Sequence, residues 1–484
     1  MSLRKKAIQG AKWSSIQQVV GQFVEFLVFV VIARILGPDE FGLVALAVVV
    51  ISVVNPLVAQ GLGSAIVQKD KLQEEHLNSV FWINLLVGLS LFLFISSTST
   101  FWAQLFSQPL LAPVLAWLSI SFLLASLKTV QEAVVRRELR FKELAVRTLT
   151  AKVISGVVGI AMAVNDYGVW SLVWRQLVNS AVSVALLWRI SDWRPKFSFS
   201  KKHYLELFPF GVKILSSEML IFVNRRSANL FIGFFLGVTA LGFYNMAYRF
   251  MYLLLHVVSK AVHQVGMPTF ARVQKFPARV KNGLYEVIQL IALISIPAFV
   301  GVIWLAPEIV SLLLGEKWLP AIPVFQILML IGIVQSLLTP VGTVLVSIGQ
   351  PGARLKLLVF DALANLIAFL IAVHWGIIAV AVAYVIVGCC MIPLWYGAIK
   401  KFVPITSSSI IKLLIPPSIS SFCMILWIMV TQDQIFSVFN SVSDLTFVVT
   451  TGALVYAMII FFFFRNSANR IIELFKQVNV NSIK

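Results

Sequence analysis

The chain has 484 residues, of which 59% are hydrophobic and 12% charged, and its mean hydropathy is +0.92. No soluble fold hides that much apolar surface, and apolar runs of about 20 residues recur along the length, so composition defines a polytopic helical membrane protein. A β-barrel is excluded because the runs do not alternate. The net charge of +19 is read as basic cytoplasmic loops rather than as a nucleic-acid footprint.

The basic start MSLRKKAIQGAKW leads into an apolar run longer than a signal peptide, so an uncleaved first span is expected, over about 13–36. Gly37-Pro38-Asp39-Glu40 turns the chain, and a second span covers 41–62. After the polar loop QKDKLQEEH, spans three and four follow at 80–102 and 110–127. Residues 131–147 hold Arg136, Arg137, Arg140, Lys142 and Arg147 beside Leu139, Phe141 and Leu144, which predicts an amphipathic helix on the inner surface. Spans five and six are expected at 151–164 and 169–190.

The loop 191–202 is the expected boundary between halves. The seventh span is the stretch 205–246, with the segment Leu236 to Phe243 near its end. The eighth runs 243–265, with the basic loop RVQKFPARVK after it, and the ninth 284–305. The tenth, 322–348, is expected to break at Pro340 and Gly342. Spans eleven to fourteen fall at 355–373, 377–399, 410–430 and 445–464, and a basic tail follows. Cys389, Cys390 and Cys423 lie in apolar runs and read as small hydrophobes.

With the N-terminus cytoplasmic, basic residues fall on alternate loops: Lys69 and Lys71, 136–147, 189–202, 272–281, Arg354 and Lys356, Lys400 and Lys401, and Arg465 onward. Both termini are therefore expected in the cytoplasm. Leu36-Gly37-Pro38-Asp39-Glu40-Phe41-Gly42 is matched 200 positions later by Leu236-Gly237-Val238-Thr239-Ala240-Leu241-Gly242. Six spans separate the copies, which makes the duplication parallel. A weaker echo joins Val67-Gln68-Lys69 to Val273-Gln274-Lys275. The expected fold is all-α, with about 14 spans: an N-lobe (1–195), a C-lobe (196–402), and two further helices with the tail (403–484). Gly37, Gly42, Gly237 and Gly242 are the expected gate or packing positions, and Gly233 with Gly237 forms a GxxxG pattern.

Arg225 stands 12 residues before Gly237, and Glu25 stands 12 before Gly37. At 1.5 Å per residue both lie about 18 Å deep, near the middle of a ~30 Å hydrocarbon layer. Arg226, Arg175, Arg249 and Asp361 also fall inside spans, with Lys152, Lys213, Glu218 and Lys260 nearer the inner interface. Intramembrane charges are costly and usually face a wet interior. One reading is a net-basic cavity for an anion, built from Arg225, Arg226, Glu25, Arg249, Arg175 and Lys152. The other is a fixed salt bridge from Glu25 to Arg225 or Arg226. Basic residues outnumber acids, which favours the cavity, since pairing alone wants equal numbers. Trp102, Tyr167, Trp170, Trp318 and Trp375 read as interface belts. The histidines (His76, His203, His256, His263 and His374) are scattered, and no phosphate loop, zinc motif or nucleophile elbow is present.

Four stretches carry a resemblance: ARILGPDEFGLVALA, QGLGSAIVQ, RRELRFKELA and NRRSANLFIGFFLGVTALGFYNMAYRF. They resemble the Wzx-type polysaccharide flippases, closest to the colanic- or teichuronic-acid branch, in the superfamily that includes the multidrug MATE exporters and the MurJ-type lipid II flippases. The resemblance covers about residues 1–400. Where many members carry an acid, this chain has Ser227-Ala228-Asn229. The resemblance implies a lipid-linked oligosaccharide on a polyprenyl diphosphate, moved to the outer leaflet of the bacterial inner membrane for exopolysaccharide or lipopolysaccharide synthesis. On this reading the protein is a monomer without cofactor or nucleic-acid partner. H+ or Na+ stands open as coupling ion, and membrane lipids and the polysaccharide polymerase machinery are the further partners. A MATE-like exporter is the alternative and would favour an acidic cavity. A membrane-embedded glycosyl- or acyltransferase is a third and would need a carboxylate or histidine constellation.

Overall fold

The computed structural model describes residues 3–261, 270, 273–274, 276–435 and 442–464, and among these every regular element is a helix. Eleven helical stretches among the described residues are long and apolar enough to cross a membrane. Three other long helices, Val169–Ile190, Lys201–Phe235 and Gly237–Ala261, hold Arg175, Arg225, Arg226 and Arg249 in their lengths. The side chains of Glu218, Arg225 and Lys260 lie outside the described residues, as do His263, Lys275 and the tail from Arg465.

The chain forms two compact units, Met1–Gly242 and Phe243–Lys484. In the first, α1 (Leu3–Ile35) ends at the Gly37 turn. α2 (Pro38–Ala59) starts with proline in its first turn, Asp39 and Glu40 beside it, and the Gly37 N–H donating to the Glu40 carboxylate at 2.9 Å. Proline's fixed φ and acids at the dipole's positive end both favour a start here. Gln60 (φ 48°) and Gly61 (φ 66°) stop α2 close to the expected end of the second span, and a short α3 (Leu62–Gln68) follows. The Arg137 guanidinium gathers the carbonyls that α3 leaves open: Ile66 O at 2.9 Å, Val67 O at 3.2 Å, Asp70 O at 3.0 Å, and Lys69 O.

α4 (Glu74–Leu105), α5 (Leu111–Leu118), α6 (Ile120–Arg137), α7 (Phe141–Val164) and α8 (Val169–Ile190) complete the up-and-down packing. The predicted surface helix at 131–147 is not a separate element. Residues up to Arg137 continue α6, Leu139 turns at φ 60°, and α7 begins at Phe141. The charges that made it look amphipathic pair with one another: Glu132 accepts from Arg136 one turn on in α6 at 2.9 Å and from Arg147 across the corner at 3.2 Å, and Arg140 pairs with Glu143 at the start of α7 at 2.7 Å.

α9 (Lys201–Phe235) follows the loop expected to divide the halves, yet it packs on α2, α3 and α4 within the first unit. Its first turns are tied there by Lys69 to Glu206 at 2.6 Å, His76 to Glu206 at 3.3 Å and His203 to Gln73 at 2.7 Å. Farther along, a Cβ on Gly61 would stand 2.4 Å from Gly211 O, and one on Gly211 2.5 Å from Gln60 O, so the two backbones touch. α10 (Gly237–Ala261) opens at the unit border.

In the second unit, α11 (Pro277–Trp304) packs on α12 (Ile322–Ser347), α12 on α14 (Ile377–Lys400), and α14 on α13 (Pro351–Ala372). α12 runs unbroken through Pro340 and Gly342, contrary to the expected break. The Thr339 and Thr343 hydroxyls bond back to Gln335 O at 2.8 Å and Thr339 O at 3.1 Å, within the turns that flank the proline. α15 (Ser407–Ile435) packs on α11 and α16 (Val442–Phe463) on α15. Leu305, Met424, Ile428, Leu445 and Val448 join them, and Trp304 Nε1 donates to Gln432 at 3.1 Å. Trp318, expected in an interface belt, is fully buried with its ring 6.2 Å from that of Phe243, whereas Trp375 and Tyr167 are exposed.

Candidate functional site

Three of the six predicted site residues come together in the first unit, on α1, α7 and α8. α1 and α7 run side by side in parallel: Gln17 donates to Thr148 at 3.2 Å, and Val28 and Ile32 face Gly156 and Gly159. That register sets Glu25 against Lys152, whose ammonium donates to the carboxylate at 2.8 Å and to Gly21 O at 3.1 Å. Arg175 reaches the other carboxylate oxygen at 3.9 Å, with its stem laid over Gly159. Measured at 1.5 Å per residue from the ends of their helices at Ile35, Val164 and Val169, the three lie about 15, 18 and 9 Å deep.

Among the described residues the cluster holds two cations and one carboxylate. Its side chains are partly buried among the helices, with 36% of the surface of Glu25, 24% of Lys152 and 20% of Arg175 left uncovered by protein. A half-exposed pair of this kind is worth only about 0–1 kcal/mol, so stability alone is a weak reason to carry three charges between apolar helices. An excess of positive charge among the described residues suits an anion. Gly21, Gly156 and Gly159 belong to the site and were not expected. Their signal was in the spacing: Gly21 lies four residues before Glu25, and Gly156 and Gly159 lie four and seven after Lys152, on the same helix faces.

Arg226 is half-buried on α9 beside buried Ser227, Ala228 and Asn229. Arg225 shares the helix, and its side chain is outside the described residues. Arg249 is half-buried on α10, in the second unit.

The repeated glycines form a second feature of the first unit. A Cβ on Gly42 would stand 1.7 Å from Val238 O, and one on Gly242 2.0 Å from Pro38 O. Each copy's second glycine thus lies on the carbonyl just after the other copy's first, and Asp39 accepts a hydrogen bond from Thr239 across the same contact. The arrangement is self-complementary in the manner of a two-fold interface. The first glycines differ: Gly37 is extended at φ −102°, while Gly237 turns at φ 83° with open space around its Cα. Within the GxxxG pattern only Gly233 makes a packing contact, against Leu46.

A helical, many-span chain with its charges held between helices defines a polytopic membrane protein of the transporter kind. The chain belongs to the polysaccharide biosynthesis protein family, whose pattern it matches over residues 31–323. It is 27% identical to the teichuronic acid biosynthesis protein TuaB of Bacillus subtilis, over 72% of this chain and 73% of that one. It is 26% identical to the lipopolysaccharide biosynthesis protein WzxC of Escherichia coli, over 80% and 79%. Its fold is shared with the lipid II flippase MurJ in an inward closed conformation (TM-score 0.74, 18% identity, covering 95% of this chain and 99% of that one).

Proposed function

We propose that the protein flips polyprenyl-diphosphate-linked oligosaccharide across the bacterial cytoplasmic membrane, for the assembly of exopolysaccharide or lipopolysaccharide. The observation that carries this is the two-to-one balance of cations over acid, among the described residues, at Glu25, Lys152 and Arg175, deep between helices and only partly covered by protein. A diphosphate is the anion that a guanidinium fork and an ammonium clasp well. Glu25 holds Lys152 while the site is empty and releases it to the incoming phosphates. A cation exporter would want the opposite balance. The family and the names of its relatives in polysaccharide synthesis support the same cargo.

On this reading α8, α9 and α10 also cross the bilayer, giving 14 spans with both termini in the cytoplasm, supported by the segregation of basic residues to alternate loops. The glycine contact at Gly42 and Gly242 closes the outer end, and its opening alternates with access from inside. The coupling ion, H+ or Na+, and the polymerase partner belong to this proposal as tests to be made.

The deciding experiment is polymer output in a deletion strain, normalised to membrane protein level. Lys152→Met and Arg175→Gln should each lower output at least tenfold with protein level unchanged. Deletion should accumulate the lipid-linked unit on the inner leaflet. A purely structural pair predicts instead that Lys152→Met lowers protein level and that adding Glu25→Gln restores both level and output, a result that would remove the site from the mechanism.

A further inference from the structure

A second site lies in the second unit, away from the charges already described. α12, α13 and α14 enclose a cavity of about 210 Å3. The space exceeds many times the ~10–15 Å3 that admits one water. One end is walled by Gly342, Arg354 and Trp395, the other by Asp361 and by Gln335, which is bonded to Tyr384 at 2.6 Å. Asp361 is engaged by Asn365 at 3.0 Å.

Arg354 stands apart. Its guanidinium lines the cavity, half-buried, and makes no hydrogen bond or ion pair among the described residues. Its Nε is enclosed, packed against Gly342 beside the Trp395 ring, and has no acceptor. Enclosed donors are nearly always satisfied, and one that is not calls for a missing partner. The position sharpens the need. Arg354 sits in the first turn of α13, with no acid in that turn, so its charge adds to the positive end of the helix dipole. An anion there is favoured by both.

We propose that this cavity binds a phosphate group, with Arg354 as its anchor and the Thr339 hydroxyl and Trp395 edge as its walls. α13 opens a candidate membrane span, so Arg354 lies at the level where a bilayer carries its headgroup phosphates. A planar fork takes two oxygens of a phosphate, and the carboxylate of Asp361 at the far end limits the site to one anion. The phosphate comes from a phospholipid headgroup or from solution. The inference does not depend on the transport reading.

The test uses the full-length protein in detergent with two probes. Phosphatidylglycerol is titrated against diacylglycerol by native mass spectrometry. Inorganic phosphate is titrated against chloride at constant ionic strength by thermal unfolding. Wild type should retain one phosphatidylglycerol per chain. Arg354→Gln should weaken that binding about tenfold or more, the scale of a charged hydrogen bond, and Arg354→Lys less. Phosphate-dependent stabilisation lost in Arg354→Gln, without lipid retention, identifies the soluble source and supports the site equally. If Arg354→Gln does not fold, Gly342→Leu serves, since it fills the slot with the arginine in place and should lose binding. Equal binding of both probes by wild type and the variants, or no preference over diacylglycerol and chloride, overturns the proposal.

Discussion

Gly42→Ala is the most direct test of the glycine contact. The added methyl would point at a backbone carbonyl, Val238 O, from 1.7 Å, and Cβ atoms essentially never come closer than 3.0 Å. The obstacle is main chain, so no rotamer relieves it, and the two helix starts have to part by roughly 1 Å or more, at the ~1–3 kcal/mol typical of overpacking. That energy shifts the closed state's population about five- to 150-fold. The assay is disulfide formation between cysteines at Asp39 and Thr239, which bond across the contact in the wild type. Cross-link yield should be high in the Gly42 background and drop severalfold with Gly42→Ala, while polymer output falls at matched protein level. Gly242→Ala, against Pro38 O, should behave the same way, because the contact is reciprocal. Undiminished cross-linking and output in Gly42→Ala would refute the reasoning, since a methyl group cannot fit the contact described.

Arg225→Ala and Arg226→Ala, singly and together, should lower polymer output, and Arg225→Lys should lose less. A charge at mid-bilayer costs about 2.5–3.5 kcal/mol on insertion scales and calls for a compensating role. Full output from the double variant would exclude both. Arg137→Ala removes the cap on α3 and should lower the unfolding temperature in detergent, by the equivalent of about 2 kcal/mol. An unchanged melting curve would show that water replaces the cap at no cost. A cysteine at Asn165 should react with an impermeant maleimide added to whole cells and one at Lys201 should not, and labelling at Lys201 would invert the proposed topology.

The long apolar helices and the repeated glycines were readable because each depends on residues near in sequence. Counting from Gly37 placed Glu25 well inside α1, as its helix does. Its partners were not readable: Lys152 and Arg175 meet Glu25 only because α1 and α7 pack in parallel register, and a one-dimensional pattern does not record which helices are neighbours. Pro340 illustrates a local rule overruled by its surroundings, since α12 is packed against α11 and α14 and stays helical through it. The corner at Leu139 was hidden by its own chemistry. Arginines and glutamates produce the same alternation whether they pair along one helix, as Arg136 does with Glu132, or across a turn, as Arg147 does with the same Glu132.

The contact between Gly61 and Gly211, with the one between Gly42 and Val238, fastens the two ends of α2 by main chain, while its middle packs by side chains such as Leu46. Fasteners of this kind have no rotamers to freeze, so engaging them carries almost none of the ordering entropy that a seam of leucines or lysines demands. Their attraction is short-ranged, and a gap of 0.5–1 Å forfeits roughly a quarter to a half of it. Such a seam behaves like a snap fastener: it holds firmly while seated, releases over a very small displacement, and reseats without searching.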